Sequence, residues 1–138
     1  YHDELGEPTA WSLAATGVSN LGLIDLLIRN HVIKAGSFLI IDEPEAHIHP
    51  KWQVLLMEVL YRMAQAGVNV IIATHSLDML KKLQLIVKQN PDEANATVSA
   101  HRMPQSSLDK DASLLEKIEE SLSDLSTPFY EMYLEENN

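Results

Sequence analysis

Cysteine is absent from the 138 residues, which removes disulfide frameworks and thiolate metal sites from consideration. Basic residues are scarce: ten Lys plus Arg face twenty Asp plus Glu, for a formal net charge of -10 at pH 7. That excess argues against a free-standing nucleic-acid module working through a broad basic face, because phosphate neutralisation by Lys and Arg supplies most of such affinity. Long apolar runs are missing too, and no basic segment followed by an apolar core opens the chain. Nothing therefore reads as a signal peptide or membrane span, and the expected location is the cytoplasm. An initiator Met is also lacking, since the chain starts at Tyr1, and this reads as a piece of a longer protein. What is present, 46% hydrophobic and 22% charged residues, is an ordinary globular composition able to bury one core.

Residues 1–12 show no sustained period and read as a loop or lead-in. From Asn20, the apolar positions Leu21, Ile24, Leu27, Ile28 and Val32 recur at helical spacing, and Lys34-Ala35-Gly36 closes that segment. Phe38-Leu39-Ile40-Ile41 is a continuous apolar run ending in Asp42-Glu43-Pro44, the pattern of a strand buried on both faces. Pro50 opens a second helix with Trp52, Leu55, Leu56, Val59, Leu60 and Met63 as its buried stripe, and Gly67 ends it. Residues 68–73 form a second apolar, β-branched run. Thr74-His75-Ser76 follows, then a helix over about 77–83. Strand, helix, strand, helix in this order indicates a βαβ unit with parallel strands. Residues 85–88 and 97–103 read as two further strands around Asn90-Pro91-Asp92-Glu93, forming a hairpin.

The last quarter differs in kind. Residues 103–138 hold nine acids and two lysines, so seven of the ten net negative charges lie there. Leu114, Leu115, Ile118 and Leu122 predict one amphipathic helix, with a last short turn over 128–133. Its acids form a solvated face or a contact for a basic partner or another lobe. The expected division is a site-bearing segment, 1–102, and an acidic helical segment, 103–138.

Chemistry concentrates in FLIIDEPEAHIHP, residues 38–50. In an open parallel sheet, ligands bind beyond the carboxyl ends of the strands, so Asp42 and Glu43 point into that crevice. Asp42 stands where hydrated Mg²⁺ on nucleotide phosphates needs a carboxylate, and Glu43 where a water is oriented or deprotonated. The second strand delivers His75 to the same edge, where an imidazole can bond a γ-phosphate oxygen and the attacking water. His47-x-His49 with Asp42, Glu43 and His75 also offers transition-metal ligand types. The two histidines, however, lie in a loop running into a Pro-started helix that fixes no common face, which favours loop contacts or helix capping.

These residues resemble a known family. The apolar run ending in Asp42-Glu43-Pro44 looks like the Walker B strand of ABC-type ATPases, and Thr74-His75-Ser76 looks like their switch histidine. Between them, Glu45-Ala46-His47-Ile48-His49-Pro50 occupies the D-loop position in the form seen in the chromosome-maintenance, RecF-like and OLD-like ATPases of the AAA group. The signature segment matches Ala15-Thr16-Gly17-Val18-Ser19. There Gly17 allows close backbone approach and a helix N-terminus offers N–H groups to an anion. Ala15 stands where the family has Ser, so Thr16 or Ser19 would supply the hydroxyl.

No Gly-x-x-x-x-Gly-Lys-Ser/Thr phosphate loop occurs in the chain. The resemblance therefore implies the C-terminal half of an ABC-type nucleotide-binding domain, inactive by itself. The implied fold is α/β: a three-layer P-loop NTPase-like core of parallel strands with flanking helices, here partial, followed by the hairpin and the acidic helix. Implied cofactors are ATP and Mg²⁺. Asp42 would serve the metal, Glu43 and His75 the catalysis, and residues 15–19 with His49 the nucleotide of a partner in a head-to-tail homodimer. The implied output is DNA processing or phage defence, with DNA or a DNA-processing protein as partner. Two alternatives remain: the ATP-binding subunit of a transporter, and a non-catalytic dimerisation or regulatory module.

Overall fold

A computed structural model describes residues 16–103 and 111–136. The elements follow as helix α1 (Thr16–Arg29), strand β1 (Phe38–Asp42), helix α2 (Pro50–Gln65), strand β2 (Asn69–Ala73), and helices α3 (Leu77–Gln89), α4 (Pro91–Thr97) and α5 (Leu114–Glu136). The class is α/β, as expected, with a small parallel sheet. β1 and β2 pair in parallel with Phe38 opposite Asn69 and Asp42 opposite Ala73, so α2 is the crossover of the expected βαβ unit.

Each junction has a local cause. Pro50 stands at the first turn of α2, where its missing N–H costs nothing, and the His49 ring caps that turn. Gly67 ends the helix at φ +87°, a conformation a side chain resists, and an added Cβ there would lie 3.3 Å from the Cβ of Ala35. That proximity is used: Gly36 N–H donates to Gly67 O at 2.8 Å, tying the turn before β1 to the turn before β2. Ser76 caps α3 by accepting from Met79 N–H at 3.1 Å.

The core gathers Leu56, Met57, Leu60 and Met63 of α2, Met79, Leu83 and Val87 of α3, and Leu114, Ile118 and Leu122 of α5. Leu39, Ile41, Val70 and Ile72, on one face of the sheet, pack against it. α5 thus joins the same core as the strand-bearing segment. Lys88 and Gln84 of α3 also reach the Glu119 carboxylate of α5, at 2.9 and 3.0 Å.

Four expectations need correction. The hairpin is not formed: residues 85–88 belong to α3, and Pro91 starts α4. The short run around Leu85 has strand-like composition, but Met79, Leu83, Ile86 and Val87 repeat at helical spacing and all are buried, so packing overrides local propensity. Residues 98–103 form no strand; Val98 and Ala100 lie against the core, and Arg102 pairs with Asp124 of α5.

The strands, secondly, are not buried on both faces. Phe38 and Ile40 are each 72% exposed and Ile71 53%, because among the described residues helices cover one side of the sheet only. Thirdly, the apolar stripe of α2 is split: Leu56, Leu60 and Met63 are buried while Trp52, Leu55 and Val59 face outwards. Finally, residues 128–133 are no separate turn. α5 runs through Pro128, and the Ser126 and Thr127 hydroxyls donate back to Ser123 O, at 3.1 and 2.9 Å, one residue before the carbonyl that Pro128 leaves without its amide. No helix among the described residues is long and apolar enough to cross a membrane.

Candidate functional site at the strand ends

Parallel pairing in this register brings the two strand exits side by side. Asp42 is the last residue of β1, opposite Ala73 at the end of β2, and the ladder runs one step further, with Glu43 N–H donating to Ala73 O at 2.9 Å. At Glu43 the chain turns abruptly, with φ at 47°. A non-glycine side chain in that left-handed region costs on the order of 1 kcal/mol. The turn is held by Ala46 N–H donating to Glu43 O at 2.9 Å and Ile48 N–H to Glu45 O at 3.1 Å, while His47 is a second left-handed residue at φ 61°.

Asp42, Glu43 and His75 are all exposed and therefore accessible to a ligand. His75 Nδ1 lies 3.6 Å from Glu43 Oε1 and equally 3.6 Å from Glu45 Oε1. These separations are too long for hydrogen bonds but short enough for an electrostatic attraction. Glu45, expected only as the first residue of the D-loop, and Gln53, to which the sequence reading gave no role, hold the histidine in place. The Glu45 carboxylate accepts from the Thr74 hydroxyl at 2.7 Å and from His75 N–H at 3.0 Å. Gln53 of α2 donates to Ile48 O at 2.9 Å and accepts from the Ser76 hydroxyl at 2.6 Å. For Gln53 the only advance signal was composition: polar side chains flanking a Pro-started helix and a Thr-His-Ser turn.

The other predicted positions fare differently. His49 lies at the entry to α2, where its Nδ1 accepts from Lys51 N–H at 3.2 Å, so one ring nitrogen is committed to capping. Residues 16–19 form the first turn of α1, and Ala15 lies outside the described residues. No group of three or more His, Asp or Glu side chains able to hold a metal ion gathers among the described residues. Mg²⁺ carried on phosphates does not require one, because a single carboxylate with the phosphate oxygens and water completes its shell. The exposed Asp42 carboxylate fits that role. A groove of about 450 Å³ between α3 and α5, lined by Lys81, Gln84, Glu119 and Leu122 among others, shares no residue with this edge. The strand-end carboxylates thus stand on an open edge and not in a closed pocket.

Two known proteins are similar to parts of the chain. The chain is 38% identical over 56 residues to UvrABC system protein A of Borreliella burgdorferi, covering 41% of this chain and 6% of that protein. It is 33% identical over 72 residues to Old nuclease of Escherichia phage P2, covering 48% of this chain and 12% of that protein. The chain therefore corresponds to a small fraction of either relative. No solved structure gives a significant match. The family model described as "AAA domain, putative AbiEii toxin, Type IV TA system" matches residues 1–80, more than half of the 138, and the chain belongs to that AAA-domain family.

Proposed function

We propose that the chain is the Walker B-bearing portion of an ATP-hydrolysing machine of the ABC type, whose phosphate loop is supplied outside these residues. The observation that carries this reading is the convergence of Asp42, Glu43 and His75 at the paired strand exits, with His75 Nδ1 3.6 Å from Glu43 Oε1. Membership of an AAA-domain family supports it.

Asp42 would hold Mg²⁺, which when bound would supply neutralisation of the charge developing on the transferred phosphate. Glu43 orients and polarises the attacking water, its carboxylate aimed by the left-handed turn at that residue. His75, beside it, reads the γ-phosphate. Residues 15–19 act on the nucleotide of a second copy in a head-to-tail dimer, and residues 45–49 couple the two sites. His49, as the cap of α2, fixes where that loop ends and adds its free ring nitrogen to the partner's nucleotide. The open sheet face bearing Phe38, Ile40 and Ile71 is where the phosphate-loop portion packs, which completes a three-layer core. Residues 1–102 form the site-bearing lobe, and 103–138 an acidic helical segment that buttresses it. One relative is named a nuclease, which favours an output in DNA processing or phage defence over transport.

Joining the chain to its phosphate-loop portion and measuring Mg-ATP turnover for Glu43→Gln tests the assignment. Removal of a general base predicts a loss of about 10²–10⁴-fold with nucleotide binding retained. Undiminished turnover would sink it.

A further inference from the structure

Glu45 is the one buried carboxylate among the described residues, 6% exposed. Taking a carboxylate out of water is costly unless both oxygens are satisfied. Here Oε1 is satisfied twice, by the Thr74 hydroxyl and His75 N–H, whereas Oε2 is buried with no hydrogen-bond partner. A half-satisfied buried charge is a poor device for stability, so its placement is better explained by the group it faces.

That group is the His75 imidazole, with Nδ1 3.6 Å from Glu45 Oε1. We propose that Glu45 is a positioning residue for His75: its buried charge keeps the ring proton on Nδ1, turned towards the glutamates, and leaves Nε2 for the ligand side. The ligand role of Nε2 rests on the ATPase reading; the orientation of Nδ1 does not. A lone pair on Nδ1 would face two carboxylate oxygens, those of Glu43 and Glu45, whereas an N–H there is attracted by both. Of the two, Glu43 is exposed and free to turn, but Glu45 is pinned by its two hydrogen bonds and acts persistently.

The backbone is prepared for this. Thr74 and the His75 amide are tied to Glu45, and Ser76 is tied through Gln53 to Ile48. Two separate bridges thus join the loop after β1 to the loop after β2. With the main chain held on both sides of His75, the ring torsions are the remaining freedom, and the Glu45 charge acts on them.

Glu45→Gln separates the charge from the packing, because an amide oxygen still accepts from Thr74 and His75 N–H. Nitrogen-15 NMR of the chain, at a pH where His75 is neutral, should show Nδ1–H as the major tautomer in the wild type and Nε2–H as the major form in the variant. Thermal stability should change little, since the amide NH2 takes the place of an oxygen that is itself without a partner and the loss of the buried charge offsets the two unpaired donors. In the complete ATPase the variant should lower kcat with little change in KM for ATP. An unchanged tautomer in Glu45→Gln overturns the proposal, as does a fall in stability with kcat unaltered, which marks a purely structural carboxylate. Survival of turnover in Glu43→Gln instead overturns the hydrolysis reading and leaves the tautomer result standing.

Discussion

On one face of the two-stranded sheet, Leu39, Ile41, Val70 and Ile72 lie against a core built by α2, α3 and α5. On the other face, one residue away along the same strands, Phe38, Ile40 and Ile71 stand in the open. Because side chains alternate along a strand, a single backbone presents both surfaces, and composition alone does not distinguish them: both are apolar. The difference teaches where the molecule is locally complete. The packed face is covered by helices and fixes the strands. The exposed face has the hydrophobicity of a core position without a core, a patch that soluble proteins rarely leave unused. Asp42 and Glu43 sit on the border between the two, with backbone fixed by the packed side and side chains exposed.

The largest expected effect breaks the packed side. Met79 of α3 and Ile118 of α5, the largest fully buried side chains, both belong to the core that the two helices share. Truncating either to Ala removes methylene contacts and leaves a cavity, with an expected loss of about 2–5 kcal/mol. Denaturant unfolding measures it. A loss below about 1 kcal/mol for both would mean that α5 is not part of the folded unit.

This contrast also explains what could be read without a structure. Local signals were sufficient wherever one mechanism dominates: Pro50 and Gly67 bracket α2, and the β-branched runs on either side pair as a parallel unit. The strand-end carboxylates and His75 were legible because strand polarity alone brings chain exits to one edge. Burial was not, because a continuous apolar strand looks the same whether its second face is covered or open. The hairpin expectation failed at residues 85–88 for a related reason: a short apolar run carries no period, and only the distant partners Leu114 and Ile118 make the helical stripe of α3 the better burial. Glu45 was legible as part of the D-loop but not as a partner of His75, because that role is a three-way meeting with Thr74 and His75 across about 30 residues of chain, and no spacing rule encodes such contacts.

A smaller effect sharpens the comparison at the rim of the packed side. Glu58 of α2 reaches Lys82 of α3 at 2.5 Å and Arg62 at 2.9 Å. The Lys82 ammonium, with Arg62 second, holds the Glu58 carboxyl below its usual range. A lowered folded-state value contributes stability that is fully present above the unfolded value, about 4.3, and is lost as pH falls through the folded one. Unfolding followed between pH 7 and 3 should therefore show a decline that Glu58→Gln makes shallower, at an expected cost near neutrality of about 0.2–1 kcal/mol. An identical acid profile in the variant would remove the pair from the account of how α2 and α3 are joined.

The smallest effect belongs to the open face, and its smallness is the informative part. Phe38→Ser and Ile40→Ser alter side chains that are each 72% exposed, so the stability of this chain should change by no more than about 0.5 kcal/mol. If that face carries the phosphate-loop portion, the same two side chains become buried in the longer protein. Each substitution should then cost about 1.5–3 kcal/mol there, the transfer free energy of a buried aromatic or aliphatic side chain. The measured quantity is the difference between the two settings for one substitution, which cancels most errors in either. A packed-face control such as Ile41→Ser should show no such difference, because its surroundings are already in place. Equal small effects of Ile40→Ser in both settings would leave the sheet open in the intact molecule, and the strand-end carboxylates without the second wall a nucleotide site needs.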